Sequence, residues 1–167
     1  MKIIECAQYS PEWWEAKRGV PSASQFHRIL TPKTGKESAQ AKDYLHELIA
    51  DRAEFTPPFF NGERRPESIA AAAGCAIEPE ARRYYAMRRE VAVREVGFCL
   101  AEGGRYGCSP DGLIDADGGV ELKRPLLKTQ VAYVLAGTLP DEYKPQVHGS
   151  LVVTGRAWWD FLSYSPS

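Results

Sequence analysis

With 167 residues, 44% of them apolar, and a formal net charge of −1, the chain can bury one core, and its charge balance does not declare a nucleic-acid or membrane-surface partner. No apolar run is long enough to span a bilayer, and the opening Met1-Lys2-Ile3-Ile4-Glu5-Cys6 lacks signal-peptide architecture. A single domain over residues 1–167, working in a cytoplasm without a membrane, is therefore expected.

Ser10-Pro11-Glu12 opens the first predicted helix with an N-cap serine, proline at the first helical position and an acid in the first turn. That helix runs through Trp13, Trp14 and Ala16 and stops at Gly19. A short helix follows Ser22 and carries Phe26, Ile29 and Leu30, and residues 31–36 read as a loop. The next helix, about Ser38 to Arg52, puts Tyr44, Leu45, Leu48 and Ile49 on one face. Residues 55–62 form an irregular aromatic connection, and a long helix runs from about Pro66 to Arg89, with Pro79 expected to kink or restart it.

From Val91 the hydrophobic period changes. Val91 to Phe98 reads as a strand, with further strand pieces at Tyr106–Ser109 and Gly112–Asp115. Asp117-Gly118-Gly119 is a hairpin signal, and Val120 to Lys123 is the next strand, closed by Pro125. Helices are expected over Leu126–Ala136 and Tyr143–Val153, the second capped by Gly155, and a last strand over Trp158–Tyr164. This order predicts a mixed α/β (α+β) fold, a central mixed sheet flanked by helices.

The segment most charged with chemistry is Ser109-Pro110-Asp111-Gly112, followed by Glu121-Leu122-Lys123. On a strand, residues two apart share a face, so Glu121 and Lys123 point one way and Leu122 the other. An acid from the preceding turn, Asp111, can join them. Two carboxylates and a lysine are what a magnesium-dependent phosphodiesterase uses: oxygen ligands for a hard cation, and a lysine that as an ammonium positions a water or as a neutral amine deprotonates it. Glu-x-Lys alone is weak, since a chain of this length holds one by chance roughly one time in two. A lysine and a glutamate on one strand face could instead be a surface ion pair worth little. Its position, inside an apolar strand after a turn aspartate and a hairpin, carries the functional reading.

Other residues carry plainer readings beside the functional ones. Glu78 can be a first-turn helix acid, Ser24 a cap and Gln146 a surface glutamine. His148 is expected to be structural or solvent-facing, and the pairs Trp13-Trp14 and Trp158-Trp159 to be core rather than base-stacking platforms. Basic residues come in pairs: Lys17-Arg18, Arg64-Arg65, Arg82-Arg83, Arg88-Arg89 and Lys123-Arg124. Taken alone, the stretch from Arg82 to Arg89 reads equally as a solvated helix face.

Gly107-Cys108-Ser109-Pro110-Asp111-Gly112-Leu113, the hairpin, and Glu121-Leu122-Lys123-Arg124-Pro125 resemble the core of the lambda exonuclease / YqaJ-type viral recombinase family, nucleases of the PD-(D/E)xK superfamily with a restriction-endonuclease-like core. Three further segments agree in order: Trp14 to Ser24, Gly74 to Arg82, and Gln146 to Gly155 with Trp158 to Pro166. The resemblance implies that Asp111, Glu121, Glu78 and the Leu122 carbonyl hold two Mg²⁺ ions, with Mn²⁺ as a substitute. It further implies that Lys123 positions the attacking water, that Gln146 orients that water or the lysine, and that Ser24, Ser109 and a cation near Lys17 hold a terminal 5′-phosphate. Lys17 stands where the family usually has an arginine, with Arg18 one residue along, and either could serve. The four cysteines, Cys6, Cys75, Cys99 and Cys108, have no C-x-x-C pair, so the iron–sulfur cluster of some relatives of this fold is not expected.

The implied activity is Mg²⁺-dependent 5′-to-3′ digestion of one strand of linear duplex DNA to 5′-mononucleotides, leaving a 3′ overhang. The implied partners are DNA ends, two further copies of the chain in a homotrimer, and a single-strand annealing protein. Alternatives are an endonuclease of the same superfamily, or a DNA-binding or assembly protein on an inactive nuclease fold.

Overall fold

The computed structural model describes residues 1–53, 59–60, 63–64 and 69–166, with side chains at 1–53 and 77–166. Strand β1 (Lys2–Ile4) leads into helix α1 (Pro11–Lys17), which begins as the sequence predicts. The Ser10 side chain accepts from Trp13 N, Pro11 takes the first helical position, and Gly19 follows in the left-handed region. The short segment after Ser22 is a 3-10 helix, Ala23–Arg28, and α2 spans Ala41–Ala53. Of the expected α2 face only Tyr44 is buried; Leu45 and Ile49 are exposed.

The irregular connection expected at 55–62 lies mostly outside the described residues, but β2 (Phe59–Phe60) and β3 (Glu63–Arg64) pair as antiparallel strands. Helix α3 (Ile69–Arg89) runs without interruption through Pro79, so no restart occurs there. Its expected beginning at Pro66 lies outside the described residues.

The predicted strand over Val91–Phe98 is corrected. Two strands occupy that stretch, β4 (Val93–Arg94) and β5 (Phe98–Leu100), and they belong to different sheets. The break falls at Val96-Gly97. A side-chain carbon on Gly97 would come within 2.3 Å of Cys6 Sγ, so only glycine lets the two segments cross that closely. β5 joins β1 and β6 (Gly107–Cys108) in an antiparallel sheet.

β4 leads the second sheet, ordered β4-β7-β8-β9, with β7 at Gly112–Ile114, β8 at Gly118–Lys123 and β9 at Trp158–Ser163. It is mixed: β4, β7 and β8 run antiparallel, and β9 runs parallel to β8. The Gly118-Gly119 pair begins β8 rather than forming the hairpin tip. Any Cβ there would strike the rings of Trp158 and Trp159, which lie across the two glycines from β9. Arg156 closes the β7–β8 turn by donating to Ile114 O, Asp115 O and Gly118 O.

The crossover between β8 and β9 holds α4 (Leu127–Ala136) and α5 (Lys144–Thr154), the latter capped by Gly155 as expected. One core cluster joins Ala23, Val96, Cys99, Cys108, Leu113 and Val153; the other joins Ala81 and Tyr85 of α3 to Ile114, Val120 and Leu122. Helices therefore cover both faces, and β8 is buried from end to end except at Lys123. Leu127, Val131, Val134 and Leu135 of α4 face outward. Among the described residues no helix is long and apolar enough to cross a membrane.

Candidate active site

β8 carries Glu121 and Lys123 on one side, as the two-residue period requires. Leu122 turns the other way into the α3 cluster. Glu121 is only 1% exposed, an unusual place for a carboxylate unless it is paired or awaits a ligand. Its Oε1 accepts from Lys123 Nζ and, at 2.6 Å, from Gln146 Nε2 on α5. Its Oε2 is buried without a hydrogen-bond partner. Asp111, in the bend before β7, reaches the same place, and its Oδ2 accepts from Leu122 N at 2.7 Å. Glu78 sits near the middle of α3, so it is not a first-turn acid.

Charge crowding is visible in the acidities. Burial, then the Asp111 carboxylate, pushes Glu121 up to about 8; burial and the same neighbour push Glu78 up to about 7. Asp111 is also raised, mainly by burial. Lys123 holds its proton more tightly than a free lysine: burial works against its charge, but Glu121 and Asp111 outweigh it. Among the described residues no three acid, thiol or imidazole side chains already form a metal cage. The donor set nevertheless fits a hard divalent cation: crowded carboxylates whose charges raise the pKa of Glu121 and Glu78, and one buried carboxylate oxygen left unpartnered.

The residues expected to hold a phosphate are partly assembled. Trp13 Nε1 donates to Ser109 Oγ at 2.9 Å and to Gly97 O at 3.0 Å. Lys17 Nζ sits 4.1 Å from the centre of the same Trp13 ring. Burial lowers Lys17 to about 8, with Asp51 opposing the shift. Arg18 is turned onto Glu15. Ser24 is half-buried on the 3-10 helix whose N-cap is Ser22, so it is not the capping residue. No hydrogen bond joins Ser24 to Lys17 or Ser109. His148 is exposed and Trp13 is buried, as the sequence suggests.

Two residues were not anticipated. Arg82 is buried and ties the acidic side together: Nε donates to Asp111 O at 2.8 Å, one amino group pairs with Glu78, and the other reaches Glu95 at 2.8 Å. Its spacing of four from Glu78, one helical turn, was the available signal. Tyr143 lies 5.4 Å from Lys123 Nζ, one turn before Gln146, and its ring meets Phe161 at 5.0 Å. Arg82→Ala leaves half-buried acceptors on both Glu78 and Asp111 unpaired and is expected to cost about 1 kcal/mol in urea unfolding.

A mixed sheet with helices on both faces, and an acid–lysine pair on its central strand met by an acid from the bend before β7, is a restriction-endonuclease-like fold. The chain belongs to the YqaJ-like viral recombinase domain family, whose model matches residues 12–157. It is similar to an alkaline exonuclease (LHK-Exo) from Laribacter hongkongensis, at 30% identity over 93% of this chain and 74% of that one, with a TM-score of 0.77. The structure of LHK-Exo in complex with dAMP matches at 30% identity and the same 93% and 74% coverage, with a TM-score of 0.78. A phage-related exonuclease from Haemophilus somnus 129PT shares the fold at 16% identity, over 89% of this chain and 70% of that one, with a TM-score of 0.57. No curated protein matches significantly. Family and relatives together support a DNA exonuclease of the recombination type.

Proposed function

We propose that the chain is a Mg²⁺-dependent exonuclease that digests one strand of linear duplex DNA from its 5′ end, releases 5′-mononucleotides and leaves a 3′ overhang. The observation that carries this reading is the fully buried Glu121, held by Lys123 and Gln146 with one oxygen unpartnered, beside Asp111. The family and the dAMP complex of LHK-Exo support it. Asp111, Glu121, Glu78 and the Leu122 carbonyl would hold the ions, with Mn²⁺ as a substitute. Bound there, divalent ions polarise the scissile phosphate and acidify a water. Gln146 fixes the Glu121 carboxylate, and the Lys123 ammonium, kept charged by its acidic neighbours, orients the incoming water and offsets charge on the phosphate. Arg82 keeps Glu78 and the Asp111 backbone in position. The exposed apolar face of α4 is compatible with a homotrimer, and the 3′ overhang is the natural substrate of a single-strand annealing partner.

The test is digestion in Mg²⁺ of linear duplex with a 5′-phosphate, linear duplex with a 5′-hydroxyl, and closed circular duplex. Preferential loss of the phosphorylated linear DNA to mononucleotides, with the circle intact, is expected. Nicking of the circle would favour an endonuclease.

The Lys17 environment adds a pH dependence. Because the Lys17 ammonium discharges near 8, its attraction for a terminal phosphate is present below that pH and fades above it. KM for phosphorylated ends is expected to rise about tenfold between about pH 7.5 and 9.5, and Lys17→Arg, which stays charged, should flatten the rise. Initial-rate measurements across that range check it.

A further inference from the structure

Beside the carboxylate cluster lies a cavity of about 300 Å³, lined in part by Gln8, Tyr9, Glu78, Pro79, Arg82 and Pro110. Ser109, on the Lys17–Trp13 side, and Asp111, in the acidic cluster, are two residues apart, so the chain between them spans at most about 7 Å. That is close to the separation of successive phosphates along a nucleic-acid strand. A strand with its terminal phosphate at Ser109 and its next phosphate at Asp111 would carry the nucleoside between them along the edge of the cavity, where Pro110, its side chain fully buried, borders it.

The lining also includes an aromatic residue, Tyr9, held under strain. Tyr9 has φ 66°, a costly backbone conformation for a side chain of its size. Two anchors hold it there. On one side Ser10 caps α1; on the other the Gln8 amide donates to Val96 O at 3.2 Å and to Pro110 O at 2.9 Å. The Tyr9 ring stands 5.0 Å from the Trp13 ring and is tilted 42° to it. Among the described residues that line the cavity the one basic side chain, Arg82, is already committed to Glu78, Glu95 and the Asp111 carbonyl. A cavity whose described lining offers one aromatic ring, the carboxylates of Glu78 and Glu95 and no uncommitted cation suits a planar heterocycle better than a phosphate.

We propose that this cavity seats the nucleobase of the 5′-terminal nucleotide, with Tyr9 as its stacking face. The inference rests on the exonuclease reading and adds to it a site that accepts all four bases, because every base has a π-face to stack.

The experiment compares linear 5′-phosphorylated duplexes whose terminal nucleotide carries a base or is a tetrahydrofuran abasic analogue. A terminal mismatch controls for fraying. The wild-type chain is expected to release the base-bearing nucleotide with about tenfold higher kcat/KM. Tyr9→Phe should keep that difference. Tyr9→Gly, which removes the ring and relaxes the left-handed backbone, should shrink it to within about twofold and keep the preference for 5′-phosphate over 5′-hydroxyl. Equal release from both ends by the wild type, or unchanged discrimination in Tyr9→Gly, would overturn the proposal while leaving the exonuclease standing.

A second readout needs no turnover. In calorimetric titrations with Mg²⁺, dAMP should bind about tenfold more tightly than 2-deoxyribose 5-phosphate, and Tyr9→Gly should erase the difference. That result in a chain which digests no DNA would retain the base site and remove the exonuclease; equal binding of the two ligands would remove the base site.

Discussion

Asp111→Asn is expected to abolish Mg²⁺-dependent digestion, by about 10³-fold or more, and at the same time to raise the melting temperature of the metal-free protein at about pH 8. The substitution isolates charge from shape. Asp111 Oδ2 accepts from Leu122 N, and the asparagine oxygen can accept the same bond. What disappears is the negative charge beside Glu121 and Glu78. Both acids are raised in the folded chain, to about 8 and about 7 from an ordinary 4.5, first by burial and then by Asp111. A raised carboxylate binds its proton more tightly folded than unfolded. The contribution of these two acids to metal-free stability is therefore greatest in acid and falls as pH climbs through the window from about 4.5 to about 8. Without the Asp111 charge that fall is shallower. A gain of about 1 kcal/mol, or about 3 °C in a chain of this size, is expected in melts with chelator at about pH 8, shrinking toward pH 5. Added Mg²⁺ should stabilise the wild type more than the variant, reversing their order. A variant that loses activity and also melts lower at every pH would make Asp111 a purely structural residue.

The contrast between what could and could not be read in advance follows from the range of the interactions involved. Glu121 and Lys123 were legible because the strand period is local: two residues on one strand share a face wherever that strand goes. The Ser10-Pro11 helix start is equally local, and the structure keeps it. Gln146 was legible only through family resemblance, since nothing near it announces that its amide will reach Glu121 on β8. Arg82 stood among five basic pairs and looked like a solvated helix face. Only the third dimension brings Asp111 O and Glu95 to it and buries it. The misread strand at Val91–Phe98 has the same origin. Its apolar pattern suits a continuous strand, but the Cys6 segment, some ninety residues earlier, crosses at Gly97 and divides it between two sheets. Local periodicity also marked Leu45 and Ile49 as a core face, yet among the described residues α2 buries only Tyr44.

Lys123→Ala should reduce turnover by about 10³-fold without weakening metal binding, and Lys123→Arg should recover part of the loss. Both expectations come from the ammonium's surroundings. Glu121 and Asp111 hold it charged in spite of burial, and the Tyr143 ring lies 5.4 Å from Nζ. A group held in its cationic form is suited to orienting a water and stabilising negative charge, and poorly suited to taking up a proton. If positive charge at that point is what matters, a guanidinium supplies some of it; if a lysine must act as the base, arginine supplies none, because it does not deprotonate in proteins. Removing the side chain also leaves Glu121 Oε1 with Gln146 as its remaining partner, so the carboxylate is freer to bind a cation. Mn²⁺ titration of the Lys123→Ala protein should accordingly give an affinity equal to or tighter than wild type, alongside single-turnover rates near background. Weaker metal binding in that variant would mean that the lysine shapes the metal site itself. Retention of more than about a tenth of the wild-type rate would reduce the Lys123–Glu121 contact to an ordinary ion pair.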